Sequence, residues 1–497
     1  MTPKLPVGRA ATALAAFALG AAAALGQAPW TFWWLSLPAF AGVFVLLRQA
    51  QTWRRAAWVG WTAGAGYFAL ALFWIVEPFL VDIPRHGWMA PFALFFVSTG
   101  FALFWALAFG LAHWRGGVAR QVPFAVLLLC AAELLRGLIL TGFPWAMIGH
   151  IWTTHPVLQL AALGGAGLLT LFTLSVSALP VMTSRPTFGV ALAAAVLASG
   201  WGYGAIVLAQ PDAPETGKTV RLVQPNAAQH LKWDPAHAGT FFQRQLAMTR
   251  EPSDQQIDLI IWPETALATR LDRAEVAIQA IADAAQGVPV VFGGNDVVDG
   301  AYRNTLVSLN AQGERADSYY KHHLVPFGEY VPLGDLLARF GINGLAARDG
   351  AGYGTGPGPR LIEIEGVGRA LPLICYELIF PRHLHATARP DFILQITNDA
   401  WFGNISGPYQ HLAQAKLRAV EQGLGLVRAA NTGITAAIDA RGRVLRETPL
   451  NEAGYLDVAL PGALTPTLYS RVQDWGIAAI LVLLLFVASI VPRRLCD

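Results

Sequence analysis

Cys375 stands where an apolar, strand-like run, Leu371-Pro372-Leu373-Ile374, stops at a thiol followed by Tyr376 and Glu377. A thiol at a strand end is a candidate nucleophile; a buried core cysteine is the competing reading. The other cysteines, Cys130 and Cys496, lie in or beside membrane-like segments, so the polar part of the chain cannot close a disulfide of its own. Two more polar residues end strand-like runs. Glu264 follows Ile257-Asp258-Leu259-Ile260-Ile261, where Pro263 stops the ladder and lets the carboxylate project. Lys321 follows the aromatic pair Tyr319-Tyr320. Each alone has an ordinary reading: a surface carboxylate or helix cap, and a solvated lysine. Together a carboxylate, a lysine and a thiol, 57 and 54 residues apart, supply a base, a cation and a nucleophile, the parts of a covalent two-step displacement.

The segments that must position them alternate in type. Strand patterns run at 219–224, 257–262, 288–293, 303–309, 369–374, 391–396, 426–430 and 434–439, with helical patterns at about 236–250, 273–285 and 408–423. That alternation predicts a layered α/β domain over residues 211–472, with helices outside the sheets and the site at strand ends. The rest of the chain is different. Of 497 residues, 54% are hydrophobic and 13% charged, against roughly 25% charged in an ordinary soluble domain. Apolar runs at roughly 7–26, 29–47, 56–77, 89–112, 121–141, 157–181 and 188–208 predict seven membrane spans in residues 1–210, and 474–492 predicts an eighth within 473–497. The first run is read as an uncleaved span rather than a signal peptide, because another follows almost at once. Net charge is +3, which gives no indication of nucleic-acid binding.

Short-loop charges set the orientation. Lys4, Arg9, Arg48, Arg54, Arg55, Arg115, Arg120, Arg185, Arg493 and Arg494 fall on one side and Arg85 alone on the other. The positive side is expected to be cytoplasmic, which puts the α/β domain on the opposite face, the periplasm of a bacterium. Inside the bundle, Glu133 and Arg136 share a helix face and are expected to pair, fixing helix packing or meeting substrate. Thr141-Gly142-Phe143-Pro144-Trp145 is expected to end that helix, and Trp145, Trp152 and Tyr203 suit an aromatic belt. No helix carries the row of charges a proton relay would need, which disfavours a transporter. Residues 333–358 are rich in glycine yet carry Leu336, Leu337, Phe340, Ile342 and Leu345, the pattern of a lid or of a short packed helix. His322, His323, His383 and His385 complete no zinc spacing and are expected on the surface or in loops, and no metal is expected.

The ordered set Glu264, Lys321 and Cys375 resembles the Glu-Lys-Cys triad of the nitrilase, or carbon–nitrogen hydrolase, superfamily. Further motifs narrow the likeness. Pro263-Glu264-Thr265, the stretch from Lys321 through Leu324-Val325-Pro326-Phe327-Gly328-Glu329-Tyr330-Val331-Pro332, Cys375-Tyr376-Glu377 and Asn398-Asp399-Ala400-Trp401-Phe402-Gly403 resemble the apolipoprotein N-acyltransferase family. Glu133-Leu134-Leu135-Arg136-Gly137 with Gly142-Phe143-Pro144-Trp145 resembles its membrane part. The resemblance implies a multi-pass α-helical membrane bundle joined to an αββα nitrilase-like domain, in a bacterial inner membrane, acting as a monomer without a cofactor. It implies transfer of an acyl chain from a phospholipid to the α-amine of the diacylglyceryl cysteine of an apolipoprotein, through a thioester on Cys375.

These residue types suit such a reaction. Lys321 would favour the thiolate and steady an oxyanion, with the Tyr376 N–H as a second donor. Glu264 would take the thiol proton, but an ordinary carboxylate is a weak base for a thiol, so burial must raise it or Lys321 must stabilise the product. Glu329 is expected to orient Lys321 or the substrate, and Glu377 to hold Lys321 or the cysteine loop. Trp233 matches a functional tryptophan of the family; a packed loop aromatic is its ordinary reading. Two alternatives remain, a membrane-tethered amidase or nitrilase acting on a small C–N substrate, and a transporter or receptor whose outer domain only binds. The topology is testable on its own. A reporter active only in the periplasm should be active when fused near Asp212 and silent when fused at Asp497; the reverse pattern would refute the orientation.

Overall fold

The computed structural model describes residues 8–332 and 352–490. Leu336, Leu337, Phe340, Ile342 and Leu345, and with them most of the expected lid, lie outside the described residues, as does Cys496. The chain divides into two units, one comprising residues 1–76, 88–210 and 467–497, the other 77–87 and 211–466.

The first unit is helical. Its elements are α1 (Arg9–Ala24), α2 (Trp33–Gln49), α3 (Trp53–Ala71), α4 (Ala90–Arg136), α5 (Ala161–Met182) and α6 (Pro186–Leu208). Glycines interrupt two of them. Gly117, at φ 63°, divides α4 where the sequence separates two apolar runs, and Gly164–Gly165 break α5 near its start. By length and composition, four described helices are able to cross a membrane, or five if α3 and the turn after it, bent by 63°, count as one. Glu133 and Arg136 do pair, at 2.8 Å with both side chains fully buried. The indole of Trp105 donates to Glu133 at 2.9 Å, and Arg136 donates to the Trp145 carbonyl at 2.9 Å. The guanidinium lies 5.0 Å from the Phe68 ring centre and 5.4 Å from that of Phe101. The pair is thus spent on packing and on the turn after α4, which ends at Arg136, ahead of the Gly142-Phe143-Pro144 breaker. Two of the expected belt aromatics are not at a lipid face. Trp145 and Trp152 are fully buried. Trp152 donates to Thr173 at 2.8 Å and the Trp145 ring packs at a tilt against Trp74, so interior partners satisfy rings that composition alone assigns to the interface.

The second unit contains two six-stranded sheets. The strands are β1 (Thr219–Gln224), β2 (Leu259–Ile261), β3 (Val290–Val298), β4 (Ala301–Leu309), β5 (Arg315–Tyr320), β6 (Ile362–Ile364), β7 (Gly368–Ile374), β8 (Phe392–Thr397), β9 (Leu426–Ala430), β10 (Thr435–Ile438), β11 (Val444–Thr448) and β12 (Gly454–Ala459). They run in the orders β12-β1-β2-β3-β4-β5 and β11-β10-β9-β8-β7-β6. β1, β2 and β3 are mutually parallel, as are β7, β8 and β9. Parallel strands buried on both faces read as continuous apolar runs, and all six are legible in the sequence, together with the largely buried antiparallel strands β4 and β10.

Helices cover the outer faces. α7 (Pro235–Arg250) starts at Asp234, whose carboxylate caps the Ala236 N–H, and α8 (Glu275–Ala285) follows β2. Leu246 of α7 and Ile281, Ala284 and Ala285 of α8 close a core with Val223, Ile260, Trp262, Val290 and Phe292. α9 (Gly407–Gln422) buries Leu412, Ala415 and Ala419 against Leu373, Ile393, Leu426 and Ile438 of the second sheet. The architecture is the αββα sandwich of the nitrilase-like fold, as expected. β5, β6, β11 and β12 are the strands the apolar pattern passes over; β5 and β11 carry exposed polar faces. α10 (Leu468–Ile490), broken at Gln473, returns the chain to the helical unit.

Candidate active site

Glu264 leaves β2 after the buried Trp262 and Pro263. Its turn lies against β3 at Gly293, where a Cβ would come within 2.5 Å of the Thr265 nitrogen, so only glycine lets the two backbones meet. The carboxylate is buried rather than on the surface. Oε1 accepts from the Asn304 side chain at 2.6 Å, and Oε2 accepts from the Asn398 N–H at 2.8 Å. Asn304 belongs to the first sheet and Asn398 follows β8 of the second, so the carboxylate is held by both.

Lys321 continues β5 by one residue, its N–H donating to the Asn304 carbonyl at 2.9 Å. Its side chain is 1% exposed. The ammonium lies 2.9 Å from Glu329 Oε1 and 3.7 Å from Glu264 Oε1. Glu329 is itself fixed by the Val325 N–H at 2.8 Å, within a turn whose Phe327 adopts φ 62°. Glu329 is thus placed against Lys321, the first of the two partners the sequence left open to it.

Cys375 follows β7 directly and opens the 3₁₀ turn Cys375–Ile379 at φ 51°, a left-handed backbone that non-glycine residues seldom adopt. Two donors meet its carbonyl, the Gln395 amide at 3.2 Å and the His411 ring at 3.2 Å, and His411 in turn contacts Asp399 at 2.9 Å. Glu377 ties the same turn from the other side. It accepts from the N–H groups of Ile374 at 2.8 Å, His322 at 2.8 Å and His323 at 3.2 Å, and from the Tyr319 hydroxyl at 3.0 Å. Of the two roles foreseen for Glu377, the structure gives it the cysteine loop, together with the backbone just after Lys321.

Electrostatics distinguish the three groups. Burial raises the Glu264 carboxyl above the ordinary carboxylate range, with Glu329 adding to that and Lys321 opposing it. This is the shift a base for a thiol needs. Burial alone would lower Lys321, but Glu329, Glu264 and Cys375 outweigh it and raise it, so the residue stays a cation. Burial, then the Glu264 charge, raises the Cys375 thiol, while Lys321 and a hydrogen bond with Thr397 pull it down. The sequence expectation that Lys321 favours the thiolate has the right sign but is outweighed: the resting group is a thiol, and it needs a base.

Sequence reasoning missed Asn304, Thr397 and Lys232. Asn304 sits mid-strand with no pattern to mark it, whereas Asn398 is legible within Asn398-Asp399-Ala400-Trp401. Trp233, half-buried in the turn before α7, is not among the groups that hydrogen-bond the three side chains. The histidines are not plain surface residues. His383 is buried and bridges His322 at 2.9 Å and His323 at 3.0 Å.

A family model, the apolipoprotein N-acyltransferase N-terminal domain, matches residues 19–179, and the carbon-nitrogen hydrolase model matches 219–467. The apolipoprotein N-acyltransferase of Caulobacter vibrioides is 39% identical over 96% of this chain and 93% of its own. The chain belongs to the apolipoprotein N-acyltransferase family. That of Brucella melitensis is 36% identical over 96% of this chain and 95% of its own. Among solved structures, an amidase of Nesterenkonia AN1 from the nitrilase superfamily is 18% identical, with a TM-score of 0.39 over 55% of this chain and 99% of that one. Acyl transfer is thus the reaction class, and the long apolar helices fit a membrane protein.

The opposing influences on Cys375 can be separated by alkylation. With iodoacetamide, followed on the Cys375 peptide by mass spectrometry, Glu264→Gln removes the anion that holds the thiol up, so its rate profile should move to lower pH. Lys321→Met removes the opposing cation and should move it to higher pH. Superimposable profiles for wild type and both variants would contradict this electrostatic assignment.

Proposed function

We propose that this protein transfers a fatty acyl chain from a phospholipid, through a thioester on Cys375, to the α-amine of the S-diacylglyceryl cysteine at the start of an apolipoprotein, completing its maturation. The observation that carries the reading is the buried contact of Glu264 with Lys321 beside a strand-end cysteine whose thiol both groups influence.

In the first half-reaction Glu264 accepts the thiol proton as sulfur attacks the ester carbonyl. Lys321, with the Tyr376 N–H, stabilises the oxyanion. Collapse breaks the ester C–O bond, and Glu264 returns the proton to the departing lysophospholipid hydroxyl. In the second, the amine attacks the thioester, Glu264 takes its proton, and the C–S bond breaks to leave an amide and the thiol. Glu329 holds the Lys321 ammonium in place, and Glu377 holds the turn that presents sulfur. Trp233 is assigned to the substrate side.

The same reading makes residues 1–210 a seven-helix membrane domain and 211–472 a periplasmic catalytic domain. Residues 473–497 supply a closing helix and cytoplasmic tail. The protein works as a monomer in the bacterial inner membrane, on lipid and lipoprotein substrates.

Incubation of the purified full-length protein with phospholipid should add one fatty-acyl mass at Cys375, sensitive to hydroxylamine. Cys375→Ala should lose the adduct and all transfer while remaining in the membrane. Glu264→Gln and Lys321→Ala should slow adduct formation by about 100-fold or more. Substantial transfer by Cys375→Ala would exclude the thioester route. A wild-type protein that cleaves small amides and never gains acyl mass would favour the hydrolase reading.

A further inference from the structure

A second lysine lies beside the base. Lys232 is 5% exposed, in the turn between β1 and α7. Its Nζ donates to the backbone carbonyl of Glu264 at 3.2 Å and to the Thr265 hydroxyl at 2.7 Å. No carboxylate among the described residues forms an ion pair with it. Lys232 also lines a small cavity with Pro225, Phe241, Pro263, Gln245 and Asn431, and is the one charged residue among the described lining. A buried ammonium with no ion pair is costly, and an apolar side chain of the same length would fill the space without that cost. What the amine does have is Glu264. The charges of the two residues act on each other, each favouring the other's ionised form.

The turn itself gives a second reason. Thr265 adopts φ 47°, a conformation unfavourable for a β-branched residue. Lys232 grips both ends of that strained link, the carbonyl before it and the hydroxyl on it. One side chain therefore fixes where the base turn sits and supplies positive charge behind it.

We propose that Lys232 is a positioning residue of the acyl-transfer reaction, clamping the Glu264–Thr265 turn and keeping the Glu264 carboxylate ionised and ready to accept the thiol proton. The inference rests on the thioester reading above. The two ammoniums meet different parts of the same residue: Lys321 lies 3.7 Å from the Glu264 carboxylate, and Lys232 donates to its backbone carbonyl at 3.2 Å. The other groups facing Glu264 are Glu329 and Tyr353, which add negative or neutral character, Cys375, and the neutral donors Asn304 and Asn398. Burial brings Lys232 down to about 8, against the pull of Glu264.

The test is the pH dependence of thioester formation, measured as acyl mass on Cys375 after rapid quench, with full-length protein and phospholipid vesicles. The rate should rise with pH as Glu264 ionises. Lys232→Gln keeps a polar donor, one atom shorter than lysine, but carries no charge. Removing a cation raises a nearby carboxyl, so the acidic midpoint should move up by about one pH unit. The rate below it should fall roughly tenfold. Lys232→Met should shift the midpoint at least as far, and Lys232→Arg, which keeps the charge, should stay near wild type. A Lys232→Gln or Lys232→Met protein that folds and shows the wild-type midpoint overturns the inference. Failure of both neutral variants to fold also overturns it, by assigning the amine to structure alone. Absence of acyl mass on the wild-type protein is a different result, and it counts against the proposed function itself.

Discussion

The site is organised around one buried cation, Lys321, held between two carboxylates. Lysine is almost never fully buried without a partner, and removing one member of a buried ion pair leaves an uncompensated charge at a cost of about 3–5 kcal/mol. Glu329 at 2.9 Å and Glu264 at 3.7 Å supply the compensation, and neither is free to move. Glu329 is pinned by the Val325 N–H, and Glu264 by Asn304 and Asn398. Burial is the largest influence raising both Glu264 and the thiol, with Glu329 adding at the first, Glu264 adding at the second, and Lys321 opposing at each, a pattern that suits a carboxylate to accept a thiol proton.

The fold supplies rigid ends on which to mount these groups. Glu264 follows β2, Cys375 follows β7 and Asn398 follows β8, all at carboxyl ends of parallel strands, and Lys321 extends β5. Because Glu264 is bonded from both sheets, the relative position of the sheets sets the distance between Glu264 and Cys375. Local strain is concentrated at the same place. Cys375 and Thr265 are both left-handed, and each is over-determined by buried partners: Glu377, Gln395 and His411 around the first, Lys232 around the second. Outside the site, the Glu133–Arg136 pair shows the same physics turned to a structural end, because its spare donors go to the turn after α4.

Glu264 and Cys375 were legible because each ends an apolar strand with a residue that strands rarely end on, Lys321 because it follows the aromatic pair Tyr319-Tyr320, and all three because strand ends of a layered α/β domain converge. The parallel strands were legible for the same reason, being apolar on both faces. What was not legible depends on contacts that carry no period. Asn304 lies inside a strand, and Lys232 reads as an ordinary loop lysine until its burial is seen. Trp145 and Trp152 have the composition of an aromatic belt, and only packing places them inside. The role of Glu377 was open between two partners, and hydrogen bonds to three backbone N–H groups decide it.

In the proposed mechanism one acyl group passes from lipid to amine by way of Cys375 sulfur. The most direct measurement isolates the acyl-enzyme made from phospholipid with a labelled acyl chain, removes all remaining lipid, and then adds a diacylglyceryl-cysteine peptide. The account predicts that label leaves Cys375 and appears as an amide on the peptide amine, one for one, with no phospholipid present. Label that stays on Cys375, or peptide that is acylated only when phospholipid is restored, would contradict it.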